Sequence, residues 1–169
     1  LSNFRYSIAD FGYYIDFKKV YNNVDSIKVE LNILNSLIGS KNIESDFENL
    51  VAKYPEILKC IPILLAVREY EIYAGENGDV KLYTFHKQIN TSADYKLFMK
   101  KTGLFDLLSN HIINNLYDYV TGVETGLDSN GRKNRGGHQM EDLVENYIQK
   151  AGFKRDVNYF KEMYISDVS

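Results

Sequence analysis

Five glycines, Gly122, Gly126, Gly131, Gly136 and Gly137, fall within sixteen residues of this 169-residue chain. Glycine admits left-handed backbone and lets a ligand approach closely. The cluster therefore reads as a loop that divides the chain into residues 1–121 and 122–169. Between the glycines stand Glu124, Asp128, Asn130, Arg132, Lys133, Asn134 and Arg135. Arginine can donate two hydrogen bonds to the O6 and N7 edge of guanine, and asparagine can pair with the N6 and N7 edge of adenine. Lys133 suits a phosphate oxygen, and a carboxylate such as Asp128 can accept from cytosine N4 or simply pair with Arg132. The plainer alternative is a solvated surface loop with a chance basic cluster. A nucleotide phosphate loop fits less well, because no Gly-x-x-x-x-Gly-Lys-Ser/Thr pattern occurs and the preceding segment has helical rather than strand periodicity.

The chain before the cluster is mostly helical in pattern. Phe11 to Tyr21 is aromatic and irregular. Ile27, Leu31, Leu34 and Ile38 recur at helical spacing over Asp25 to Ile38, with Gly39 as a stop. A second helix is expected over Glu44 to Lys53, ending before Pro55. A third runs from Glu56 to Tyr70, restarted or kinked by Pro62. Glu71 to Phe85 alternates instead, around Glu76-Asn-Gly-Asp79, and an Asn-Gly pair favours a tight hairpin turn. Helices are expected over Ala93 to Lys101, ending at Gly103, and over Leu104 to Tyr119.

After the glycines, Met140, Leu143, Val144, Tyr147, Ile148 and Ala151 share one face of a helix from His138 to Ala151. Glu141 sits at the border of that face. There it can lean over the core edge toward a metal, or serve only as a favourable acid in a first helical turn. His138 can act as a general base, or be a polar residue near the helix start. Val157 to Ile165 reads as a strand. The fold class expected is α+β, mostly α.

Composition narrows the function classes. Hydrophobic residues at 44% and charged residues at 25% exclude a disordered chain. No apolar run approaches the roughly 18 residues that cross a bilayer, since Ile57 to Val67 is interrupted by Lys59 and Pro62. No signal-peptide pattern opens the sequence. Cys60 is the lone cysteine, which excludes an internal disulfide and fits a reducing cytoplasm. The net charge of −3 does not itself argue for nucleic acid, but Arg132, Lys133 and Arg135 form a local basic patch free of acids. Leu1 and Ser169 read as cut ends.

The block from Thr121, Thr-Gly-Val-Glu-Thr-Gly-Leu-Asp-Ser-Asn-Gly-Arg-Lys-Asn-Arg-Gly-Gly, resembles the signature of the DpnII/MboI family of restriction endonucleases. Asp16-Phe-Lys-Lys-Val-Tyr-Asn-Asn-Val, Leu31-Asn-Ile-Leu-Asn-Ser-Leu-Ile-Gly, Tyr54-Pro-Glu-Ile-Leu and Lys101-Thr-Gly-Leu-Phe-Asp-Leu-Leu resemble the same family in the same order. The resemblance implies cleavage of double-stranded DNA at GATC with Mg²⁺, in the bacterial cytoplasm, by an enzyme that works beside an adenine methyltransferase. It implies a PD-(D/E)XK type of nuclease core, of which residues 122–169 would be the start, the strand-borne aspartate and the Glu-containing motif lying beyond Ser169. Glu141 matches a helix acid of some relatives and is the one expected metal ligand and catalytic residue here. A palindromic site further implies a homodimer. The alternative from a different class is a non-catalytic DNA-binding or oligomerisation module.

Overall fold

A computed structural model of the chain describes residues 10–151, with side chains through 133. The described residues fall into two compact units, Phe17–Leu127 and residues 10–16 with 128–151. The expected α+β class with a helical majority is what is seen: the described residues are mostly helical, with one two-stranded antiparallel hairpin among them.

The larger unit opens with α1 (Phe17–Asp25), which buries Val20 and Val24. Irregular chain was expected here, and only Phe11–Tyr13, a 3-10 turn in the other unit, is short and exposed. The single helix expected over Asp25 to Ile38 is instead broken. The Ser26 hydroxyl donates to the Asn23 carbonyl at 2.7 Å, Ile27 leaves the helical region, and α2 (Lys28–Leu34) starts afresh before tightening into a 3-10 turn at Asn35–Leu37. A serine competing for backbone acceptors explains the break. Helix α3 (Ile43–Lys53) lies where it was expected.

The expected helix from Glu56 to Tyr70 is shorter and tighter. Pro55–Cys60 is 3-10, and Pro62 stands at the start of α4 (Ile61–Leu64). Ala66 then turns left-handed at φ 60°, so residues 67–70 are not helical. Ile57, Leu58, Cys60, Ile61 and Leu64 nevertheless form the middle of the core.

Strands β1 (Glu71–Glu76) and β2 (Asp79–Thr84) pair with Glu76 opposite Asp79. Asn77 at φ 54° and Gly78 at φ 86° make the two-residue primed turn that the Asn-Gly pair foretold. The Asn90 side chain accepts from the Thr84 amide and donates to the Leu82 carbonyl, satisfying backbone groups beyond the hairpin's own ladder. Thr91 and Asp94 form a capping box at the start of α5 (Ser92–Lys101). Phe98 packs against Tyr83 and Phe85, seating the helix on the hairpin.

Helix α6 (Leu104–Ser109) stops early: the expected run to Tyr119 is interrupted at Asn110 and at His111, whose φ is 52°. Asn115 then accepts from the Tyr117 amide and Asn35 from the Leu116 amide, satisfying two orphan donors of a new helix, α7 (Leu116–Ala151). This helix overturns the loop expected at the glycines. Gly122, Gly126 and Gly131 are all helical, none has positive φ, and the helix expected from His138 to Ala151 is its continuation. Each glycine costs a helix about 1 kcal/mol relative to alanine. The reason α7 forms regardless is tertiary: Leu116, Val120, Glu124 and Asp128, spaced by four, are all buried. The expected strand over Val157 to Ile165 lies outside the described residues.

Candidate nucleic-acid interface

Helix α7 sorts the residues singled out from sequence into two sets. Glu124 and Asp128 point inward, with relative exposures of 5% and 6%. Asn130 and Lys133 are exposed, and so are Gly122, Gly126 and Gly131. A helix turns 100° per residue, so residues four apart share a face. The side chains of Asn134, Arg135, His138 and Glu141 lie outside the described residues.

In the larger unit, Glu124 is held by two residues that local sequence gave no means of finding. Arg68 reaches its carboxylate at 2.9 Å, and the Asn23 amide donates to it at 3.2 Å. These partners lie 56 and 101 positions away. A buried carboxylate needs such pairing, because desolvation of a lone charge costs several kcal/mol. The three side chains line a cleft of about 190 Å³, together with Ile27, Pro62 and Tyr70.

In the smaller unit, Asp128 accepts from Arg132 Nε at 2.7 Å and from the Asp16 backbone amide at 3.0 Å. Arg132 also approaches the Asp16 carboxylate at 3.8 Å and donates to the Gly12 carbonyl. Asp128 thus makes the pairing with Arg132 that was one of the two alternatives open for it. Gly12 lies in no motif, and Asp16, though it opens one of the family-like blocks, carries no sign there of its distant partner.

Among the described residues, no group of three or more His, Cys, Asp or Glu stands close enough to hold a metal ion. The described residues thus supply charge pairs and an exposed polar helix face, and no metal-ligand set. Nor is any described helix long and apolar enough to cross a membrane.

A family model described as DpnII restriction endonuclease matches residues 1–169, the entire chain. The chain belongs to the DpnII restriction endonuclease family. It is 48% identical over 169 residues to the type II restriction enzyme DpnII of Streptococcus pneumoniae, covering 99% of this chain and 59% of that one. It is 43% identical over 148 residues to the type II restriction enzyme MjaIII of Methanocaldococcus jannaschii, covering 85% and 51%. Against the type II restriction enzyme MboI of Moraxella bovis the identity is 36% over 151 residues, covering 89% and 52%. The chain therefore spans between half and three fifths of these relatives' lengths. No solved structure is matched. The resemblance read from Thr121 to Gly137 is borne out at the level of the family.

Proposed function

We propose that this chain is part of a type II restriction endonuclease that hydrolyses double-stranded DNA at GATC. The observation that carries the reading is the 48% identity, over the whole chain, to an enzyme named as a type II restriction enzyme. The GATC site is what the resemblance to the DpnII/MboI family implies, and the identity to DpnII and MboI supports it. Within this scheme the residues in hand bind DNA. Asn130 and Lys133 offer an amide for a base edge and an ammonium for a phosphate on the exposed side of α7. Asn134 and Arg135 follow in the same helix and extend the same chemistry.

The proposal includes Mg²⁺, which in phosphodiester hydrolysis activates water and stabilises the leaving oxygen. Glu141 is its one proposed ligand and catalytic acid within this chain. The described residues do not form a metal site, so no catalytic step is assigned to them. A homodimer on a two-fold symmetric site, a bacterial cytoplasmic setting and a partner adenine methyltransferase complete the scheme.

The test is digestion of a plasmid by the full-length protein that contains this chain. Cleavage confined to GATC, lost on chelation of divalent metal, is the expected outcome. Cleavage at an unrelated site, or no cleavage under any divalent metal, refutes the reading.

A further inference from the structure

We infer that Arg132 is a positioning residue, a clamp between α7 and residues 12–16, and not the reader of guanine that its place in the basic cluster advertises. The inference rests on the DNA-binding reading above and assigns a different task within it. Reading guanine takes two adjacent guanidinium donors presented outward to O6 and N7. Arg132 has no such edge to offer. Its Nε donates to Asp128 at 2.7 Å, one terminal nitrogen donates to the Gly12 carbonyl, and the other faces the Asp16 carboxylate at 3.8 Å. The side chain is only 14% exposed and that of Asp128 only 4%.

The arrangement is closed on both sides. Asp128 also accepts the Asp16 backbone amide at 3.0 Å, so one carboxylate oxygen joins the incoming chain to the helix, and Arg132 neutralises it. Turning Arg132 outward toward a base would break its hydrogen bonds to the Asp128 carboxylate and the Gly12 carbonyl, a loss that a base contact would first have to offset. Asn130 and Lys133, two positions before and one after, carry no such duty and are exposed. The clamp thereby fixes the backbone from which these two side chains project. A positioning role of this kind changes affinity without reading any base.

The experiment uses the full-length protein with Arg132→Ala, Arg132→Lys and Asp128→Ala. Binding is measured to a GATC duplex, to the same duplex with 7-deazaguanine, which lacks the N7 acceptor, and to a scrambled duplex. For a clamp, Arg132→Ala weakens GATC binding about tenfold, the scale of one good contact. The penalty for 7-deazaguanine stays as large as in the wild type. Asp128→Ala then adds little to Arg132→Ala, and Arg132→Lys recovers part of the loss because an ammonium can still meet Asp128. Disappearance of the 7-deazaguanine penalty in Arg132→Ala would make Arg132 the guanine reader and sink the clamp. Unchanged GATC affinity with only a lowered melting temperature would reduce it to a structural residue and sink the inference too.

Amide hydrogen exchange at Asp16 gives a readout independent of DNA. Faster exchange in Arg132→Ala supports the clamp, and unaltered protection overturns it. A wild type that binds scrambled and GATC duplexes alike refutes the functional reading instead, whatever the exchange shows.

Discussion

Replacing Gly122 and Gly126 together with alanine should stabilise the protein. A Cβ built on either glycine meets nothing within 4 Å, and neither residue has positive φ. No clash and no left-handed strain therefore opposes the change. What remains is the helix propensity difference, about 1 kcal/mol per site in favour of alanine. Both methyls would sit on the exposed side of α7, so the effects should nearly add, to about 2 kcal/mol. For a chain of this size that raises the melting temperature by roughly 4–8 °C. Thermal unfolding followed by far-ultraviolet circular dichroism measures it. Gly78→Ala supplies the internal control. Its Cβ also meets nothing within 4 Å, but its φ is 86°, so the same chemical change should cost about 1 kcal/mol. Opposite signs at spatially open glycines would leave backbone conformation as the sole cause. A fall in stability for the Gly122→Ala, Gly126→Ala double variant would refute the reasoning, because it would mean that the segment is not helical in solution.

Four further outcomes are expected. Arg68→Ala should destabilise by about 1–2 kcal/mol in denaturant titration. That is less than the loss of a partner from a fully buried pair, because Arg68 is 46% exposed and Glu124 keeps Asn23. At Asp94, the hydrogen bond from the Lys81 ammonium and those from Thr91 hold the carboxyl below its ordinary value of 3.8. A carboxyl depressed in the folded state contributes stability that is complete above 3.8 and is lost as the pH falls through the lower folded value. The stability of Asp94→Asn should accordingly fall less steeply than the wild type over that acid window. Cys60 is buried and its thiol is pushed up to about 12, chiefly by desolvation, so a thiol reagent at mildly alkaline pH should label it only after unfolding. Rapid labelling of the native protein would contradict this. Finally, the 169-residue chain alone should leave a GATC plasmid uncut in Mg²⁺, since it spans only 51–59% of the type II restriction enzymes DpnII and MjaIII. Cleavage on an agarose gel would overturn the expectation.

Local chemistry was legible from sequence wherever a few neighbouring residues decide the structure. Asn77-Gly78 specified the hairpin, because only a primed turn matches strand twist and only such residues enter it cheaply. Pro55 and Gly103 bounded helices α3 and α5 for equally local reasons. The block at the glycines was sufficient to name the family, since a long unusual string is specific without any knowledge of its shape.

The shape of that block was a different matter. Glycine propensity argued for a loop, and four inward residues of α7, two of them acidic, decided for a helix. Acids at four-residue spacing do not look like a core stripe, because a carboxylate belongs inside only when something distant neutralises it. Arg68 and Asn23 do this for Glu124 from 56 and 101 positions away, and the Asp16 amide meets Asp128 from 112 positions away. The sequence by itself determined the kinship and the turn chemistry. The tertiary structure alone decided that Glu124, Asp128 and Arg132 face partners within the protein while Asn130 and Lys133 face outward. The physical reason is that charge pairing in a core depends on distance in space, to which position along the chain gives no guide.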